Sequence, residues 1–423
     1  MYCHSSSTVP CQLTLSLQVL TGATGSMGAH VLLNLLDDDS ISAVYCLTRR
    51  AQAKEALMEA LSGKGLHVPT SKAQKIIALN SALDKPDLGV GKAILNEMQQ
   101  SVSLIIHAAW PVNFNLPLSS FEPHVKGLYN LLQFSLSVHL PSPATTFFCS
   151  SVSTAFGASS PDIHETPLSD LNSALDMGYG RSKLVGEHII SNARRSGAKA
   201  YSLRIGQISG HSKKGLWNDS EALPLMIRSA LTLKALPDLP DTTCSWLPVD
   251  KLASAILEIA GVCSHASPPS SPWSRISSNN SSCSDNDGGD NAGDDDHDDD
   301  DTIYNLCNSR TFTWSSLLTT LRDSGFEFET VPFNTWLQML RESEARGEEK
   351  VNPAVKLTDH YEAMHAPSPP GTQKQQPQEK KFHTDKAERD SVTLRDGPLR
   401  VIEDGILGCY AQDWLKRWDT TRA

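Results

Sequence analysis

Thr21-Gly22-Ala23-Thr24-Gly25-Ser26-Met27-Gly28 is the stretch on which the fold turns. It follows an apolar run, residues 15–20. It leads into residues 28–36, where Val31, Leu32, Leu35 and Leu36 cluster as on one face of a helix. A strand, a glycine turn and a helix in that order bring a dinucleotide to the edge of a sheet. Gly22 allows the tight turn, Gly25 lets backbone approach the ligand, and Gly28 lets helix and strand pack closely. The pyrophosphate then meets the helix N-terminus. The spacing is GxxGxxG, and Thr21, Thr24, Ser26 and Met27 complete the expected cradle.

Outward from this turn the same alternation continues. Residues 42–47, 75–79, 102–107, 145–151 and 200–205 read as strands; residues 51–61, 118–137 and 179–195 read as helices. Strands alternating with helices at this spacing predict an α/β fold, a doubly wound parallel sheet of the Rossmann kind. Residues 1–261 form the nucleotide-binding domain in this reading. Residues 262–300, Ser/Pro-rich and then acidic, cannot build a core and are expected to be a disordered insert. Residues 301–423 are expected to form a smaller, mostly helical substrate lobe over the carboxyl edge of the sheet. It contains a strand at Ile303, Tyr304 and Leu306, helices at 314–321, 335–340 and 399–418, and a low-complexity segment at 366–380.

The formal net charge of -11 says little about a substrate, because ten Asp and no Lys or Arg fall between Asp285 and Asp301; the remainder is close to neutral. His297, inside that run, reads as part of a solvated loop, and no metal site is expected. There is no basic patch or nucleic-acid motif. The apolar runs are too short to cross a membrane. Met1-Tyr2-Cys3-His4-Ser5 lacks the basic and apolar regions of a signal peptide. The nine Cys are scattered without a CxxC pair, and Cys46 and Cys149 read as buried thiols of a reducing compartment. A cytoplasmic protein follows, with no nucleic-acid or membrane partner and no expected oligomer.

The second strand ends in Cys46-Leu47-Thr48-Arg49-Arg50. Two guanidinium groups, where NAD sites place a carboxylate, suit a 2'-phosphate, so the expected cofactor is NADPH. The fourth strand ends in His107-Ala108-Ala109, whose small residues let the cofactor cross the sheet edge, with His107 in a packing and hydrogen-bonding role. Tyr179-Gly180-Arg181-Ser182-Lys183 puts a phenol and an ammonium one helical turn apart, facing one cleft. Carbonyl reduction needs a proton for the developing alkoxide. Tyr179 supplies it, and Lys183 lowers its pKa and holds the nicotinamide ribose. A hydroxyl at the end of the fifth strand orients the carbonyl. The candidates are Ser150, Ser151, Ser153 and Thr154, with Ser151 preferred and Ser153 in reserve.

These residues resemble the short-chain dehydrogenase/reductase superfamily, extended type. The glycine turn, Cys46-Leu47-Thr48-Arg49, His107-Ala108-Ala109, Val112-Asn113 and residues 203–210 look like the terminal thioester reductase domains of nonribosomal peptide synthetases and aminoadipate reductases. Gly215-Leu216-Trp217-Asn218 and Trp246-Leu247-Pro248-Val249-Asp250 are similar to the fungal versions. The resemblance covers nearly the whole chain outside the two low-complexity segments. It implies an NADPH-dependent reduction of an acyl thioester, carried on the phosphopantetheine arm of a carrier protein, to an aldehyde and in some members on to an alcohol. It assigns Tyr179 and Lys183 their roles and puts the orienting hydroxyl at Ser151. It sets Asn113 and Gln207 by the substrate channel and leaves Trp217, Asn218 and Asp250 architectural.

Two positions depart from the family pattern. His124-Val125-Lys126-Gly127 stands for Asn-Val-x-Gly, which bears on the proton path, and Ala82 stands for an Asp that helps hold adenine. The sequence starts just ahead of its first strand, leaving no room for adenylation or carrier domains. A standalone reductase, a fragment of a longer protein, and an enzyme using a free aldehyde or coenzyme A thioester all fit. Two other readings stand beside the thioester reductase: an extended reductase or epimerase of a small free carbonyl, and a nucleotide-binding protein without turnover.

Overall fold

The computed structural model describes residues 16–262, 302–365, 379–397 and 399–418. The insert beyond Val262, with His297, and residues 366–378 lie outside them.

Seven strands form the main sheet: β1 (Ser16–Thr21), β2 (Ile41–Thr48), β3 (Ile76–Asn80), β4 (Val102–His107), β5 (Thr145–Ser151), β6 (Ala200–Ile205) and β7 (Ile303–Leu306). All neighbours are parallel, in the order β7-β6-β5-β4-β1-β2-β3. Alternate side chains serve two buried faces. Leu20, Cys46, Ile106, Phe147 and Cys149 point into one core, under helices Ser26–Asp37 and Val249–Ile259. Val19, Tyr45, Leu47 and Ile105 point the other way. There Phe148 packs with Leu128 and Ile190, from helices Glu122–Leu136 and Gly178–Arg195. Cys46 and Cys149 are buried free thiols.

A second core gathers six of the eight tryptophans: Trp217, Trp246, Trp314, Trp336, Trp414 and Trp418. It is built by helices Ala222–Leu233, Trp314–Asp323, Phe333–Ala345, Thr358–His365 and Ile406–Trp418. The last begins later than its apolar pattern suggests, because Gly405 (φ +71) turns the chain first. The two cores interleave in sequence. Ile303–Leu306 pairs with β6 as the edge of the main sheet, while Trp217 and Trp246 precede the insert and belong to the second core. Asn305 ties this edge down, donating through Nδ2 to the carbonyls of Ile163 (3.0 Å) and His383 (2.8 Å).

Candidate active site

The strand order reverses between β1 and β4, and ligands of open α/β sheets bind outside the carboxyl ends at such a point. Thr21 and His107 are register partners there. Thr21 Oγ1 accepts the Ala109 N–H at 3.0 Å and is hydrogen-bonded to His107 Nδ1 at 2.8 Å, which binds the glycine turn to the end of β4. Gly22 has φ +78, and a Cβ on it would lie 2.8 Å from the Ala108 carbonyl carbon. A Cβ on Gly28 would lie 2.2 Å from the Gly22 oxygen; on Gly25 it would keep 3.2 Å. Gly28 is therefore required by packing, whereas a methyl at Gly25 needs the Gly22 oxygen to give by only a few tenths of an ångström. Helix Ser26–Asp37 has no side-chain cap, so its first-turn N–H groups, at Ser26, Met27 and Gly28, are free for an anion. Lys64, which the sequence reading missed, braces the turn by donating to the Thr24 carbonyl at 2.8 Å.

Arg49 and Arg50 stand exposed just past β2, with no carboxylate partner among the described residues. The cradle that a Cβ would fill and the free helix N–H groups fit a dinucleotide. Ala82 sits in the turn after β3, its N–H bonded to the Leu88 carbonyl. His107 is buried and held down to about 3, first by burial and then by the charges of Lys183 and His124; it is neutral. His124 is half-buried, its ring 5.7 Å from that of Trp110, and burial, Arg49 and Lys183 lower its pKa.

The end of β5 faces this cradle. Of the four hydroxyl candidates, Ser150 donates to Glu187 at 2.6 Å and Thr154 to the Ser151 carbonyl at 2.9 Å. Ser151 Oγ accepts the Ser153 N–H at 3.2 Å and lies near enough to the Tyr179 phenol to lower its pKa, and Ser153 Oγ is buried without a partner. Helix Gly178–Arg195 carries Tyr179 and Lys183 into the same place, both buried. Lys183 Nζ donates to the Cys149 carbonyl at 2.5 Å and sits over the rings of Trp110 (4.6 Å), Phe148 (4.7 Å) and Tyr179 (5.8 Å). Burial in this cage lowers its pKa to about 7, against the pull of Cys149 and Glu187.

Tyr179 departs from the sequence reading. Burial pushes its phenol up to about 12, and the nearby Ser151 hydroxyl opposes that rise. The Lys183 ammonium is turned toward the Cys149 carbonyl, so its expected lowering of the Tyr179 pKa does not appear.

Asn113 is exposed and its side chain accepts the Asn115 N–H at 3.0 Å; Gln207 is exposed and folds onto the Ile208 carbonyl. Neither points at Tyr179, whose ring instead meets Phe114 edge-on at 5.4 Å and Phe121 at 6.4 Å. Trp217 lies in the second core, Asn218 accepts from Ser220, and Asp250 accepts from Ser212, all architectural roles. The sequence reading also missed the buried pair of Glu187 with Arg204 (2.8 Å), which with Ser150 fastens the Tyr179 helix to β5 and β6. Among the described residues, no three His, Cys, Asp or Glu side chains come together as a metal site.

The family model described as Male sterility protein matches residues 20–256. The chain is similar to Adenylate-forming reductase Nps10 of Heterobasidion annosum, 33% identical over 356 residues, covering 81% of this chain and 29% of that protein. It is also similar to Carboxylic acid reductase of Neurospora crassa, 31% identical over 352 residues, covering 81% and 30%. The chain thus spans under a third of the length of these relatives. Among solved structures, the terminal R domain from the myxalamid PKS-NRPS biosynthetic pathway superposes with a TM-score of 0.74 at 20% identity, covering 96% of this chain and 91% of that one. The PhqB reductase domain from Penicillium fellutanum gives 0.67 at 17%, covering 96% and 94%. At these identities the structural likeness is one of fold.

Proposed function

Because the chain belongs to the NAD-binding family described as Male sterility protein, within the extended short-chain dehydrogenases/reductases, we propose that it reduces carrier-bound acyl thioesters to aldehydes with NADPH. A second reduction to the alcohol uses the same groups. The reading rests on one observation: Tyr179 and Lys183, one turn apart on a buried helix face, come together with Ser151 from the end of β5 beside the switch point of the sheet. Reductases among its relatives support the substrate class.

NADPH, when bound, supplies hydride to the thioester carbon. Residues 21–28 would hold its pyrophosphate, Arg49 and Arg50 its 2'-phosphate, and His107, Ala108 and Ala109 would leave room for it at the sheet edge. Ser151 Oγ orients the substrate carbonyl, and Tyr179 Oη gives its proton to that oxygen as charge develops. A phenol near 12 stays protonated at neutral pH and still donates readily to a strongly basic alkoxide. Lys183, held by the Cys149 carbonyl one helical turn from Tyr179, would hold the nicotinamide ribose. The hemithioacetal then loses its C–S bond, giving aldehyde and the free thiol of the arm. Ser153 Oγ, with no protein partner, is placed along the substrate channel, with Asn113 and Gln207 at its outer end. Among the described residues no helix is long and apolar enough to cross a membrane, and a cytoplasmic location goes with this proposal.

The test is NADPH oxidation with phosphopantetheine- and coenzyme A-linked acyl thioesters, with Tyr179→Phe as control. Thioester-dependent oxidation should fall about 10²–10⁴-fold in that variant while NADPH still binds. Turnover of free aldehydes alone would move the reading to a small-carbonyl reductase. NADPH binding without any turnover would favour a non-catalytic protein.

A further inference from the structure

We propose that His360 is a positioning residue for Tyr179: stacked face to face on Phe114, it holds that ring edge-on against the phenol and keeps water from it. The two stacks are continuous. Phe114 meets Tyr179 at 5.4 Å and 82°, and His360 covers Phe114 at 4.9 Å and 14°. The loop carrying Phe114 lies between Pro111 and Pro117 and is pressed on the start of the Tyr179 helix. A Cβ on Gly178 would lie 2.2 Å from the Leu116 oxygen. The loop has little else to fix it, since Val112, Asn113 and Asn115 are exposed. The second core supplies the missing support. Tyr361, next to His360, is buried, donates to the Ala222 carbonyl at 2.7 Å and packs edge-on to Trp336 at 5.2 Å. Helix Thr358–His365 is thereby anchored with His360 against Phe114.

Cys149, Lys183 and the Ser151 hydroxyl face Tyr179 directly, with His124 beyond Phe121. Burial lowers the His360 pKa, so its ring is neutral and stacks on Phe114 without adding charge. On this proposal the stack, through Phe114, contributes to the burial that holds Tyr179 at about 12. Removing it should let the phenol fall toward its ordinary value near 10.

The test has two readouts, and only the second rests on the thioester-reductase reading. In the first, ligand-free protein is jumped to about pH 11, between the ordinary and buried phenol values, and phenolate absorbance is read before unfolding. Each protein is compared with its own Tyr179→Phe partner. Wild type should show no Tyr179 phenolate, His360→Ala should show one, and His360→Phe, which keeps the stack, should behave as wild type. In the second, His360→Ala should lower kcat up to about tenfold, as for loss of one aromatic contact, with the NADPH KM unchanged, and His360→Phe should restore it. If wild type turns over no thioester, the proposed function fails while the absorbance comparison still decides this one. A folded His360→Ala that titrates like wild type, or a folded His360→Phe that fails to restore, would overturn the proposal. Should His360→Ala not fold, Phe114→Leu carries the same comparison from the other side of the stack.

Discussion

Gly28→Ala separates packing from ligand contact in the glycine turn. Its new methyl would start 2.2 Å from the Gly22 oxygen, 2.7 Å from the Gly22 carbonyl carbon and 3.1 Å from the Ala23 Cα. All three are backbone atoms, so no side chain can swing aside. Comfortable contacts begin near 3.5 Å, so helix and turn must part by roughly 1 Å. Overpacking of this kind costs about 1–3 kcal/mol, or about 1–4 °C in Tm for a chain of this size. The first-turn N–H groups move with the helix. Each bond they lose to a phosphate costs about 1.5–3 kcal/mol, so the NADPH Kd should rise at least about tenfold. Thermal melts of the free protein and NADPH fluorescence titrations read the two effects. Gly25→Ala is the counterpart: its methyl meets only the Gly22 oxygen, at 3.2 Å, and needs a few tenths of an ångström, so the melt should move less than for Gly28→Ala while the Kd rises. Gly28→Ala with wild-type Tm and wild-type Kd would refute the reasoning.

Three further outcomes are expected. Lys183 is held near 7 when folded, against about 10.4 unfolded, so the unfolded chain binds more protons between those values. Its destabilising effect is full below about pH 7 and fades above it; the stability of wild type relative to Lys183→Met should therefore climb from about pH 7 to 10 in denaturant titrations, and a flat difference would count against the cage. Glu187→Gln strands a fully buried Arg204 guanidinium and should cost about 3–5 kcal/mol in urea unfolding, a loss below about 1 showing that the pair is dispensable. Arg49→Glu should weaken NADPH about 10–100-fold and spare NADH; equal losses for both would remove the 2'-phosphate assignment.

The local grammar of the chain carried the main sheet. Val102–His107, Thr145–Ser151 and Ala200–Ile205 match the sequence reading residue for residue, because short apolar runs bounded by turn residues have few other solutions. The glycine turn and the Tyr179/Lys183 spacing were legible for the same reason: each is contained within one turn or one helix. What escaped depends on distant partners. Arg204 looks like a stray charge in a strand until Glu187 meets it. Phe114 and His360 lie 246 residues apart, and nothing in either neighbourhood announces the stack. The Tyr179 pKa escaped too, since spacing shows that Lys183 is near but not which oxygen its ammonium seeks.

The interleaving of the two cores bears on how the chain could be divided. Cut anywhere between residues 263 and 301, it would give two polypeptides, neither of which holds either of these two cores whole. The first would keep Trp217, Leu225 and Trp246 without the helices that bury them, and β6 without its outer neighbour. The second would keep Tyr304, Leu306 and Leu394 with no sheet to join. Each half is thus a template for the other. Expressed separately, the halves should be recovered as a reconstituted heterodimer rather than as two independent domains, a split protein whose reassembly is itself a signal.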